Sequence, residues 1–371
     1  MSTVLFKKST PTKEQLKYHK EEKLALLNLS MNTFTHFDEN YLNEDKFYLN
    51  KVNECIKNLK YCGFKTVILN IPNYKLNVQA SILKLFYDSC KNFHIKLGLC
   101  LDIKENIISS SSSLCSFVRN LMKTYNSIAQ FWIKGDNLDI DELNLEECFR
   151  IIKKSNANCI VGTQISGNNN LIDLYDNIIS ESWPCKSIFI STKNKDFNEL
   201  KDSFFNSVGK NLIAAFSIDL NETISINDNT KNNLLALNKY LSKVFSTNLI
   251  ISGKIIATND NGINVYNILD NNYHNYWTCT GDYLTPYIQI NFDKEKEFNI
   301  LSIQEYIPNG ANVQSFKVYA YNNGWFELYS GKNIGYKHLA KLPTIKSSKV
   351  KISFLDYTNP PVINKVGLFK E

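Results

Sequence analysis

The residues best suited to chemistry are acids that follow an apolar run. Phe131-Trp132-Ile133 leads into Asp136, Asp139, Asp141 and Glu142, while Asp102 closes the run Leu97-Gly98-Leu99-Cys100-Leu101 and Glu181 precedes Trp183. Two carboxylates facing each other across a pocket are what general acid–base hydrolysis requires. The plainer reading of the same acids is solvated loop or helix N-terminal residues, and Asp139-Ile140-Asp141-Glu142 before Leu143 has that composition. The five His are scattered, and there is no zinc spacing, no Ser/His/Asp spacing and no phosphate-cradling glycine motif. Trp277 and Trp325 are candidate sugar-stacking platforms, although such rings more often fill a core. Asp270 with nearby carbonyls is a weak calcium candidate, and no cofactor is expected.

Composition narrows the classes. The chain has 371 residues, 43% of them hydrophobic, enough for one large domain and one small one. The net charge of +6 is carried almost wholly by Lys, with Arg only at Arg119 and Arg150, so nucleic-acid reading is disfavoured. Nine scattered Cys without a CxxC pair read as buried reduced thiols. Met1–Lys8 holds three consecutive apolar residues, too short for a secretory core, and no run reaches bilayer length. The expectation is a cytoplasmic protein.

The elements that must position these residues alternate. Apolar runs at 24–29, 65–69, 97–101, 128–133 and 159–162 alternate with helical spacing at 45–59, 80–93, 116–124 and 146–154, and 232–244 is a last helix. Continuous apolar strands between amphipathic helices predict a parallel sheet with helical crossovers, here a TIM-like (β/α) barrel over 1–252. Ser109–Ser113 and Asn168-Asn169-Asn170 read as loops. After about residue 252 the period becomes two, with turn pairs such as Asn309-Gly310 and Asn323-Gly324, which predicts a β-sandwich over 253–371. The fold class is therefore α/β plus all-β.

A family resemblance runs through both parts. Thr10–Leu16 and Leu27–Thr35 resemble the opening of an α-L-fucosidase of glycoside hydrolase family twenty-nine. Where that family reads His-Phe-Gly before Met-Asn-Thr-Phe, this chain reads Asn28-Leu29-Ser30 before Met31-Asn32-Thr33-Phe34. Gly63–Leu69 resembles the strand that leads into Lys-His-His-Asp-Gly-Phe, and here Asn73 and Tyr74 stand for the two His. Phe131-Trp132-Ile133-Lys134-Gly135-Asp136-Asn137 resembles Trp-Phe-Asp-Gly-Ala-Asn, which places Lys134 on the nucleophile position. Trp183-Pro184 resembles Trp-x-Pro-Ala-Glu, which brings Lys186 near the family's carboxylate, and Ser207–Asn211 resembles Ser-Val-Gly-Arg-Asn. The second domain resembles the discoidin, or coagulation-factor-like, module through Val265–Asp270, Tyr276-Trp277, Tyr287–Ile290, Ile303-Gln304-Glu305 and Val366–Phe369.

The resemblance implies a sugar pocket around Asn28, Asn32, Asp102, Trp132, Asp136 and Trp183. A lysine is cationic at neutral pH and cannot attack an anomeric carbon, so Lys134 points to a catalytically degenerate member: not an enzyme, but a binding or scaffolding protein. Its partners would be a protein or a second copy of the chain, with a glycan as a further ligand. Two alternatives stand beside it: an active fucosidase-like glycosidase using displaced carboxylates such as Asp136 and Asp102, and a lectin-like protein acting through Trp277 and Trp325 of the sandwich.

Overall fold

The computed structural model describes the backbone of residues 10–29, 31–72, 76–103, 111–135, 144–165, 168–175, 183–258, 264–279 and 285–371, with side chains outside 31–45, 72, 76–80, 111–113, 165, 168–170 and 175. By internal contacts these fall into two compact units. Lys13–Phe204 with Leu212–Asn238 form one, and Phe205–Asn211 with Lys239–Glu371 belong to the other.

A closed eight-stranded barrel, in the order β1 to β8, forms the first part of the chain. Its elements are α1 (Lys13–His19), β1 (Lys23–Asn28), α2 (Met31–Tyr61), β2 (Thr66–Pro72), α3 (Leu76–Asn92), β3 (Lys96–Ile103), α4 (Ser111–Thr124), β4 (Gln130–Gly135), α5 (Leu145–Ser155), β5 (Ile160–Ile165), β6 (Asn168–Tyr175), β7 (Cys185–Ser191), α6 (Phe197–Val208), β8 (Leu212–Asp219) and α7 (Asp228–Val244). Strands buried on both faces carry continuous apolar runs, and Leu24–Leu27 of β1 are all essentially inaccessible. α5 shows the complementary logic: Leu145, Cys148, Phe149 and Ile152 recur at helical spacing and are buried, with Glu146 and Glu147 in the first turn and Lys153 and Lys154 in the last.

The barrel differs from the expected all-parallel one at a single strand. β6 runs antiparallel to both β5 and β7, while all other pairings, including β8 with β1, are parallel. It is the Asn168-Asn169-Asn170 stretch, read as a loop, that opens β6. α4 likewise begins at Ser111, inside the serine run read as a loop, and α2 begins at Met31, well before residue 45. β7, α6 and β8 had no assignment from the sequence.

The C-terminal part is antiparallel throughout. It comprises β9 (Gly253–Ala257), β10 (Trp277–Thr278), β11 (Tyr287–Glu305), β12 (Val313–Tyr321), β13 (Trp325–Lys332), β14 (His338–Tyr357) and β15 (Val362–Phe369). Two long strands serve both layers. The first half of β11 pairs with β9 and the last third of β14, which continues to β12 and β13; the second half of β11 pairs with β15 and the start of β14. Register shifts between Asn291 and Lys296 and between Phe298 and Ile300 let the strands bend from one layer to the other. Trp277, Phe298, Phe316, Ile352, Phe354 and Leu368 belong to the core enclosed between them.

Candidate functional site at the barrel mouth

Strand register decides which residues share the barrel lumen. Asn28 pairs with Asn70 and Asp219, Cys100 with Asn70 and Trp132, and Asp102 with Lys134, so all of these lie on one face of the wall. Trp132 of β4 reaches Phe189 of β7 at 6.0 Å between ring centroids, a contact between strands that are not neighbours, which identifies this face as the inner one. The lower lumen is filled. A Cβ added to Gly162 would lie 2.7 Å from Ile172, 2.8 Å from Leu174 and 3.1 Å from Trp132. Trp132 is fully buried and serves as floor rather than as an open stacking platform.

Polar side chains take over at the C-terminal ends of the strands, where barrel enzymes place their chemistry. Asn28 donates its amide to Ser217 Oγ at 2.8 Å and to Asp219 Oδ1 at 2.9 Å, and its own oxygen accepts from Asn70 Nδ2 at 3.0 Å. Lys134 Nζ lies 3.0 Å from Asp102 Oδ2, both side chains less than a quarter exposed, and 5.9 Å from the Phe189 ring centroid. Gln164, at the end of β5, accepts the backbone N–H of Gly135 at 3.2 Å. The lysine at the expected nucleophile position is thus neutralised by a neighbouring carboxylate.

The structure brings together Asn28, Asp102, Trp132 and Lys134 from the expected set. It adds Asn70, Ser217 and Asp219, whose signal in the sequence was a polar residue ending an apolar run. Asn73, Tyr74 and Asp136 lie outside the described residues, as do Asp139, Asp141, Glu142 and Glu181; Asn32 is in α2 with its side chain outside them.

Two expected positions are corrected. Lys186 is the second residue of β7 and pairs in register with Asp173 and Leu212, residues of the outward-facing set, and its ammonium lies 3.2 Å from Asp173 Oδ1. It belongs to the outer wall, away from Lys134. Trp183 is buried beside α1 at the other end of the barrel: its indole N–H donates to His19 Nε2 at 2.9 Å, and its carbonyl accepts from Gln15 at 3.4 Å. The Trp-Pro phrase is local and does not report which end of the barrel it occupies.

In the sandwich, Trp277 is corrected too. It is wholly buried and stacks on Phe354 at 6.0 Å, so it is core and offers no surface to a sugar. Trp325 is 39% exposed on β13. Both Asp270 oxygens are already engaged, by the backbone N–H of Asn272 and the amide of Asn275, and the Asn272 contact leads in holding its carboxyl below the usual range. Among the described residues no group of three His, Cys, Asp or Glu is arranged to hold a metal ion, and no helix is long and apolar enough to cross a membrane. All nine cysteines are buried and free.

Comparisons with known proteins agree with this architecture. Residues 252–367 match the F5/8 type C domain. Alpha-L-fucosidase 1 of Arabidopsis thaliana is 24% identical over 182 residues, 47% of this chain. The chain spans about a third of the length of the curated relatives it matches, 36% in each case. A Ruminococcus gnavus fucosidase solved in complex with fucose superposes with a TM-score of 0.75 at 19% identity, covering 98% of this chain and 95% of that one. A glycoside hydrolase 29 family member from an unknown rumen bacterium gives a TM-score of 0.76 at 18% identity, covering 98% of this chain and 77% of that one.

These likenesses correct the expectation that the chain is not an enzyme. The relatives and the whole-chain structural neighbours are fucosidases or glycoside hydrolases. Of the residues read as losses, Lys186 is on the outer wall, and two carboxylates, Asp102 and Asp219, remain at the lumen's polar end beside Lys134 and Asn28. The chain carries the fold of the glycoside hydrolase 29 fucosidases and ends in an F5/8 type C domain.

Proposed function

We propose that the chain is a glycoside hydrolase of the α-L-fucosidase type that works with displaced carboxylates, Asp102 and Asp219, rather than with one at the position of Lys134. One observation carries this reading. Asp102 and Asp219 face the same lumen from the C-terminal ends of β3 and β8, and each is held by a neighbour, Lys134 at 3.0 Å and Asn28 at 2.9 Å. Hydrolysis of a glycosidic bond needs one carboxyl group to protonate the leaving oxygen and a second to attack, or to activate water. Asn28, Asn70 and Ser217 supply the amide and hydroxyl groups that hydrogen-bond sugar hydroxyls. Lys134 holds Asp102 in position at 3.0 Å, and the pair brings no net positive charge to oppose an oxocarbenium-like transition state.

The test is turnover of 4-nitrophenyl α-L-fucopyranoside by the full chain. Asp102→Asn and Asp219→Asn are each expected to lower kcat by about 100-fold or more. Absence of wild-type turnover at every pH overturns the reading, as does turnover that survives both substitutions. Fucose binding measured by calorimetry in a chain without turnover would reduce the site to sugar recognition.

A further inference from the structure

The exposed layer of the C-terminal sandwich has an ordered outer face. Five strands, β13, β12, β14, β11 and β9, lie side by side, and their register lines outward residues into two rows. One row runs Trp325, Tyr321, Lys349, Asn291, Lys254; the next runs Glu327, Tyr319, Lys351, Gln289, Ile256. At about 4.8 Å per strand the rows are about 19 Å long.

The face is built from rings and ammonium groups that interlock. Lys349 Nζ sits 4.8 Å from the Tyr321 ring centroid, and Lys351 Nζ sits 5.2 Å from Tyr319 and 4.9 Å from Trp325. Trp325 meets Tyr321 edge-on at 5.5 Å. Glu327, the acid of these rows, is taken by Lys317 at 2.8 Å, and neither Lys349 nor Lys351 has a carboxylate partner among the described residues. Gln289 donates to Asn291 at 2.8 Å, which leaves each amide with hydrogen-bonding capacity toward solvent.

We infer that this face is a binding surface for a sulfated polysaccharide. The charge is complementary: Lys349, Lys351 and exposed Lys254 lie along the two rows, whose one acid, Glu327, is paired with Lys317. The ammonium groups rest on the aromatic rings, so they are held out from the sheet at fixed positions, where they meet sulfate oxygens without a large loss of side-chain freedom. The exposed edge of Trp325 and the amides of Gln289 and Asn291 contact sugar carbons and hydroxyls. A single-stranded nucleic acid is disfavoured because the lysines occupy the ring faces on which bases would stack, and because the domain has no Arg. The inference goes beyond the barrel-mouth reading, and fucoside turnover is neither used by it nor affected by its outcome.

The experiment uses the full chain and a fluorescein-labelled, fully sulfated heparin oligosaccharide, with the same oligosaccharide desulfated as a second probe. Binding of the sulfated probe, weakened by added salt, is expected. Lys349→Gln with Lys351→Gln is expected to weaken it about tenfold or more. Trp325→Ala is expected to weaken it several-fold, and serves as the test if the double variant does not fold. Lys123→Gln with Lys193→Gln removes as much charge elsewhere on the surface and is expected to leave binding unchanged. The inference is overturned by no binding of the sulfated probe, by equal binding of both probes, by binding that the Lys349, Lys351 and Trp325 substitutions leave intact, or by tighter binding of a labelled oligouridylate.

Discussion

Lys134 Nζ and Asp102 Oδ2 are 3.0 Å apart at the polar end of the barrel lumen, on neighbouring parallel strands and in direct register. Both side chains are largely removed from solvent, so each charge depends on the other more than an exposed pair would. Lys134→Met is expected to lower stability by about 1–3 kcal/mol by leaving Asp102 without its cation. Adding Asp102→Leu should recover much of that loss, giving a coupling energy of about 1–2 kcal/mol in a double-mutant cycle from urea melts. Strict additivity of the two substitutions would show that the pair contributes nothing.

The contact between Trp183 and His19 makes the opposite end of the barrel acid-sensitive. His19 accepts the indole N–H at Nε2, so it must be neutral there, and burial lowers its pKa from 6.5 to about 4. In the unfolded chain the imidazole takes up a proton near 6.5; the folded chain refuses it until about 4. Stability is therefore intact with respect to this group above 6.5 and falls as pH drops through the window, by about 3 kcal/mol in all. His19→Gln, which keeps an acceptor for the indole but does not titrate, should flatten the dependence of the urea midpoint on pH in that interval. An unchanged slope in the variant would remove His19 as its cause.

Gly63 is tied to a buried lysine through one asparagine. Its φ of +78° is left-handed, and an added Cβ would lie 2.1 Å from Asn238 Oδ1. Asn238 cannot simply move, because that oxygen accepts from Lys23 Nζ at 3.2 Å while its amide donates to the Tyr61 carbonyl at 3.1 Å. Burial already lowers the Lys23 pKa to about 8. Gly63→Ala is expected to cost about 2–3 kcal/mol, from backbone strain and from the disturbed lysine acceptor. A loss under about 0.5 kcal/mol in thermal or urea unfolding would contradict this account.

Gly63 also shows what a sequence carries and what it does not. As a strand boundary it is legible, because glycine before an apolar run is a local signal; its dependence on Asn238, far along the chain, is not. The same holds for the strands. β1 to β5 are apolar runs because parallel strands are buried on both faces. β6 opens with three Asn and runs antiparallel, so it lacks that signature and resembles a loop. At the site, Asp102 and Lys134 are legible as polar ends of apolar runs, whereas Asp219 closes a strand the pattern did not separate. The side of the wall on which Lys186 lies, and the burial of Trp277, are matters of register and layer packing that no short phrase encodes.

Glu305 offers a last test, in the sandwich. It is fully buried, yet its carboxylate is matched to three backbone donors: Oε1 accepts from Asn312 N at 2.7 Å and Val313 N at 3.0 Å, and Oε2 accepts from Gly335 N at 2.9 Å. These donors belong to two segments, one entering β12 and one preceding β14, so a single side chain fastens both to the end of β11. Glu305→Ala leaves three buried N–H groups without acceptors and is expected to cost about 3–5 kcal/mol. Glu305→Gln keeps one carbonyl oxygen but turns an NH2 toward a donor on the other side, and should cost less, about 1–3 kcal/mol. The order of the two losses is the discriminating result. Equal and small losses in urea unfolding would mean that the backbone donors find other acceptors and that the carboxylate is not what fastens the two segments.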